Sequence, residues 1–143
     1  MKMSKIIVVL LLLFVGAVFY FSWLPDHNFE SETYLPKWLL DWSSTHYNLR
    51  TAVPFVAVGF LLEAYMRHIS SSKLYHHRYS SFLKNLGIST VIVCIAEGGQ
   101  FLIQKRNPDL MDVYFGILGS MMGWLGYQLF AVIMNFKKLR NAK

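Results

Sequence analysis

The sequence predicts an all-α membrane protein, a bundle of four transmembrane helices with the N and C termini cytoplasmic, in a single domain covering residues 1–143. Three observations point to it: four apolar runs reach bilayer length, few charges interrupt them, and basic residues are dense in every second flank. Hydrophobic residues make up 55% of the chain and charged residues 15%. Ordinary soluble domains carry about 45–50% and about 25%, so the surplus apolar surface needs lipid as its solvent. A chain of 143 residues has room for one domain, and no repeat or low-complexity tract marks a further module.

Residues 6–25 form an uncharged run of 20, which at about 1.5 Å per residue matches the roughly 30 Å hydrocarbon core. Lys2 and Lys5 precede it, but Phe21, Trp23 and Leu24 offer no small-residue cleavage site, so an uncleaved anchor is expected. The second span, about residues 49–66, is the shortest; its apolar run, 51–66, carries Pro54 and Glu63 and lies between Arg50 and Arg67, which must snorkel unless the helix begins earlier. Residues 84–104 supply the third span, interrupted by Glu97, and residues 112–136 the fourth.

Basic flanks stay cytoplasmic, while acidic residues matter little to orientation. Lys2 and Lys5, then Arg67, Lys73, Arg78 and Lys84, then Lys137, Lys138, Arg140 and Lys143 make ten basic residues on one set of flanks. The other set holds four: Lys37, Arg50, Lys105 and Arg106. The charge of +6 is therefore a mark of membrane orientation, not of nucleic-acid binding, for which no recognition module is present. In the first external segment, residues 26–50, the Pro36, Trp38, Leu39, Leu40, Trp42 cluster predicts a short helix at the interface, anchored by Trp38 and Trp42.

An ionisable residue within a span costs several kcal/mol and needs a partner or a function, which singles out Glu97. Gln100 and Gln104 follow it on one face, and continuing inward through Cys94, Thr90 and Gly87 gives a small, polar stripe expected to face protein. In the fourth span Gly116, Gly119, Gly123 and Gly126 share one side, where backbones approach closely, and Asp112 lies on that side. The expectation is that the glycine side packs on the third span's stripe. With Arg106 and Asp109 in the hairpin 105–111, the residues Glu97, Gln100, Arg106, Asp109 and Asp112 then converge as candidates for a binding site. His46, Arg50 and Gln104 form a second tier.

Other features carry blander readings. Glu63 stands four residues before Arg67, the spacing of a helical ion pair. His68, His76 and His77 lack a zinc pattern, and no spacing of carboxylates singles out another metal, so neither metal nor cofactor is expected. Cys94 is alone and forms no internal disulfide.

The run Glu97-Gly98-Gly99-Gln100, then Arg106-Asn107-Pro108-Asp109-Leu110-Met111-Asp112-Val113, then Leu118-Gly119 and Gly123, resembles the VanZ-like family. That family pairs an E-x-x-Q helix with an R-x-x-x-x-x-D-V start to a glycine-bearing last helix. One departure is Gly116, where the family usually carries asparagine. The resemblance implies a small, bacterial, multi-pass protein of the cell membrane; the family's founding member is associated with low-level resistance to the glycopeptide antibiotic teicoplanin. The leading expectation is a non-enzymatic envelope protein whose outward polar site binds a lipid headgroup or a lipid-linked cell-wall precursor. Membrane lipids are its expected partners. Two alternatives stand beside it: an enzyme on a lipid-linked substrate with Glu97 and Asp112 as acid and base, and an assembly partner for other membrane proteins.

Overall fold

The computed structural model describes residues 2–24, 35–69, 77–103 and 108–141. Among these residues the secondary structure is all helical: α1 (Lys2–Ser22), α2 (Lys37–Thr45), α3 (Tyr47–Ile69), α4 (His77–Gln100) and α5 (Leu110–Arg140). Four of them, α1, α3, α4 and α5, are long and apolar enough to cross a membrane. The outward faces fit that reading, because Leu12, Leu13, Val91, Ile95, Met122 and Leu129 are all exposed. The short α2, with Trp38 exposed, forms where the sequence predicts a short helix.

The helix limits depart from the apolar runs for local reasons. Trp23 and Leu24 leave α1 ahead of Pro25, since the residue before a proline disfavours helical backbone. The second span resolves the conflict between its arginines by starting early: α3 begins at Tyr47, making Arg50 its fourth residue, and runs to Ile69. Pro54 sits inside it and removes the N–H that would bond the carbonyl of Arg50. At the other end of the third span α4 stops at Gln100, and the chain tightens into turns in which the Phe101, Leu102 and Ile103 amides donate three residues back. The fourth helix is longer than its apolar run, continuing through Lys137 and Lys138 to Arg140, where basic residues complement the negative C-terminal dipole.

The closest packing is between α3 and α5. A Cβ on Gly119 would overlap the carbonyl oxygen of Ala52, one on Gly123 that of Val56, and one on Gly59 that of Ser120. The two backbones touch with glycine on both sides, the arrangement that lets helices associate where apolar burial supplies no driving force. This corrects the expected partner of the glycine side. It packs chiefly on α3, and only Gly116 reaches α4, where a Cβ would lie 2.9 Å from Val93 Cγ2. Gly126 has only an ordinary van der Waals neighbour, Phe60. The apolar core, Val18, Phe55, Val58, Leu62, Val93 and Ala96, fills the space between α1, α3 and α4.

Three polar sets cross this core along α5, at Asp112, Ser120 and Gln128, each eight residues and so about 12 Å apart. At the middle level Asn85 Nδ2 donates to the Gly59 carbonyl at 2.7 Å, Asn85 Oδ1 accepts from Ser120 at 3.0 Å, and the Ser120 and Ser89 hydroxyls pair at 2.7 Å. The set ties α3, α4 and α5 to one another through groups that would otherwise lie unpaired among apolar side chains. It also fixes which face of α4 points inward. Asn85, Ser89, Val93, Ala96 and Gln100 are buried, whereas Gly87 and Cys94 are exposed and Thr90 bonds its own helix at Leu86. The expected stripe of Gly87, Thr90 and Cys94 is thus on the wrong side of Glu97. Small residues tolerate lipid; asparagine, glutamine and serine pairs gain more from the interior, and they set the rotation.

Candidate functional site

Three helix ends are tied together at Glu97, the last turns of α1 and α4 and the cap of α5, and the first turn of α5 is tied in turn to α3 through Asp112 and Thr51. Glu97 is 6% exposed, Gln100 4% and Asp112 5%, so all three side chains are withdrawn into the bundle. Gln100 Nε2 donates to Glu97 Oε1 at 3.0 Å and to the Ser22 hydroxyl, also at 3.0 Å. Glu97 Oε2 accepts from the backbone N–H of Asp109 at 3.3 Å. Asp112 Oδ1 accepts from the Thr51 hydroxyl at 2.8 Å.

Helix ends explain why two acids settle here. Glu97 lies in the last turn of α4, three residues from its end, where the helix dipole disfavours a negative charge. The N-terminus of α5 offsets this, because its cap residue presents an N–H to the Glu97 carboxylate. Asp112 sits in the first turn of α5, where the dipole favours it. Asp109 is the N-cap of α5, and its Oδ1 accepts from the Met111 N–H at 2.8 Å. Sequence reasoning treated Asp109 only as an acid of the hairpin; an aspartate directly before an apolar run was the signal that could have shown its cap role.

Of the residues expected to converge, Glu97, Gln100 and Asp109 are joined by hydrogen bonds, and Asp112 lies one turn beyond Asp109. Arg106 and Gln104 lie outside the described residues. Arg50 immediately precedes Thr51 at the same end of the bundle. His46 is exposed and stacks on Trp42, with a ring-centroid distance of 5.7 Å, so it belongs to the α2 surface. Glu97 is also shallower than a span ending at residue 104 implies, since α4 ends at Gln100.

Sequence reasoning missed the contributions of Ser22, Trp23 and Thr51. The Trp23 indole N–H donates to the Ala96 carbonyl at 3.1 Å, and the Ser22 hydroxyl donates to the same oxygen at 3.2 Å. Gly99 makes room for the ring, because a Cβ there would overlap the Trp23 indole. The pairing of Gly99 with an aromatic residue at the end of the first span was the available signal, but nothing in one sequence assigns such partners.

At the opposite end of the bundle the Glu63–Arg67 ion pair forms as its spacing implied, at 2.8 Å. It is part of a larger set. Glu63 Oε1 also accepts from Gln128 Nε2 at 2.9 Å, Arg67 Nη2 donates to Gln128 Oε1 at 3.1 Å, and Ser81 donates to Glu63 Oε2. Every carboxylate oxygen there is engaged, and the set links α3 to α4 and α5 as glue. Among the described residues no three His, Cys, Asp or Glu side chains gather as metal ligands would.

The fold and this end of the bundle define a small helical protein with four helices of membrane-spanning length and buried carboxylates at a junction of helix ends. No family model, curated protein or solved structure matches the chain.

Proposed function

We propose that this chain is a VanZ-like, multi-pass protein of the bacterial cell membrane whose Glu97 site faces outward and binds the headgroup of a lipid or lipid-linked cell-wall precursor, thereby altering susceptibility to teicoplanin. The observation that carries the binding role is that Glu97 and Gln100 lie buried and bonded to each other where α1, α4 and the cap of α5 join, with the buried Asp112 in the next turn of α5. The Glu97 and Asp112 oxygens accept hydrogen bonds from Gln100, the Asp109 N–H and Thr51, so the headgroup this site suits is rich in donors, such as hydroxyls or amines. Lipid-linked wall precursors and aminated or hydroxylated phospholipids share that chemistry. Binding is preferred to catalysis because the site's carboxyl groups are held as hydrogen-bond acceptors by the Gln100 amide, the Asp109 N–H and the Thr51 hydroxyl, and no established nucleophile motif accompanies them in the sequence.

The outward orientation rests on the flank charges. Single cysteines at Ser31, Ser72 and Asn141, in a Cys94→Ser background, are expected to divide under an impermeant thiol reagent on intact cells, with only position 31 labelled. Labelling at 72 and not at 31 would put the site on the cytoplasmic side. The functional arm compares cells expressing wild type, Glu97→Gln and Asp112→Asn at equal membrane levels. Both variants are expected to lose whatever shift in teicoplanin susceptibility the wild type confers; a full shift in both rejects the binding role.

A further inference from the structure

We infer that α1 is the movable wall of the Glu97 site, held shut by a polar latch through Gln100, Ser22 and Trp23, and that a membrane-resident ligand reaches Glu97 by displacing it. The inference rests on the proposed binding role and adds the route by which the ligand enters.

The helices around the site are held by contrasting means. Between α3 and α5 the backbones touch at Gly59, Gly119 and Gly123, and hydrogen bonds join the pair at Asp112 and again at Gln128. Packed backbone surfaces of this kind are bistable at best and do not yield gradually. By contrast, α1 presents most of its surface outward: Val18 is its buried core residue, with Leu11, Val15 and Phe19 packed in part. These side chains pack on α3 and α4, and at the Glu97 end polar bonds add to them, through the Ser22 and Trp23 donors to the Ala96 carbonyl and the Gln100 amide on Ser22. Phe19 stacks on Trp23 at a centroid distance of 5.2 Å and holds the indole toward Gly99.

Gln100 makes the latch sensitive to the site. Its amide nitrogen carries two protons, one for Glu97 and one for Ser22, so a ligand donor that takes Glu97 Oε1 and turns the Gln100 amide aside moves the same group off Ser22. Occupying the carboxylate then loosens one of the polar bonds on α1, leaving the Ser22 and Trp23 bonds to the Ala96 carbonyl to open as α1 moves. Ser22 and Trp23 act through Gln100 and Ala96, which makes them positioning residues. The route suits a headgroup whose tails remain in lipid, because α1 is bonded to the site at Gln100 and exposes most of its apolar outer surface.

The test places nitroxide labels at the exposed positions Tyr20 and Phe101 in a Cys94→Ser background and measures their separation by pulsed electron resonance in nanodiscs. Discs of dioleoylphosphatidylethanolamine, whose headgroup donates, are compared with discs of dioleoylphosphatidylcholine, whose headgroup does not. The wild type is expected to show one short distance in phosphatidylcholine and an added longer population in phosphatidylethanolamine. Glu97→Gln should stay short in both. Ser22→Ala combined with Trp23→Phe should give the longer population in both, and Gly99→Ala, which expels the indole, should do the same by a different route. A distance that is unmoved by these latch changes and by lipid overturns the latch. If phosphatidylethanolamine is still retained by wild type and lost by Glu97→Gln, only the entry route fails; retention indifferent to Glu97 removes the binding role and the route together.

Discussion

Gly119→Ala and Gly123→Ala are each expected to destabilise the bundle by about 2–3 kcal/mol, the range of overpacked cores, whereas Gly87→Ala should be neutral or stabilise by up to about 1 kcal/mol. The opposite signs come from what an added methyl meets. At Gly119 and Gly123 it meets the carbonyl oxygens of Ala52 and Val56, backbone atoms of α3 that cannot move without carrying the helix away. At Gly87 there is nothing within 4 Å, so alanine adds only helix propensity. Titrated unfolding in mixed micelles with a denaturing detergent measures all three. Equal tolerance at the three positions would mean that α3 and α5 do not touch as described.

Arg67→Met should cost about 3 kcal/mol, the low end for breaking a buried ion pair, and more than Glu63→Gln. The asymmetry follows from exposure. The Glu63 side chain is 0% exposed and the Arg67 side chain 45%, so a stranded guanidinium reaches water while a stranded carboxylate does not. Glu63→Gln retains neutral hydrogen-bonding partners for Gln128 and Ser81 and should cost about 1 kcal/mol, as interhelical hydrogen bonds in membranes do. Combining the two changes should be milder than their sum, because the second removes the charge that the first leaves unpaired. Strict additivity in the same unfolding assay would show that the two side chains do not interact.

Much of the architecture was legible because the bilayer imposes one rule: every backbone polar group must be satisfied within the segment, so length and polarity identify helices. The long uncharged runs behind α1 and α5 carried that signal most directly. The second span carried it least, since Arg50, Pro54, Glu63 and Arg67 interrupt it, and only contacts such as Thr51 with Asp112 and Gln128 with Arg67 show how its polar residues are accommodated. Glu97 and Gln100 were visible as costly residues in an apolar run. The rotation of α4 was not, because Gly87, Thr90 and Cys94 form as regular a stripe as Asn85, Ser89 and Val93; partners on other helices choose between them. Asp109 was visible as an acid, but its use as a cap depends on where α5 starts. Ser22 and Trp23 join the site through contacts more than 70 residues apart in sequence, which no local pattern encodes.

Whether Glu97 holds a ligand is tested most directly by the lipid that accompanies the purified protein. Wild type and Glu97→Gln, expressed in the native membrane and shown by unfolding to be equally folded, are extracted in mild detergent and their bound lipids identified by mass spectrometry. Wild type should retain, in near-stoichiometric amount, a lipid or lipid-linked precursor with a hydroxyl- or amine-rich headgroup, and Glu97→Gln should lose it. The same lipids in the same amounts from both proteins would contradict a ligand at Glu97 and leave its carboxylate as an element of helix packing.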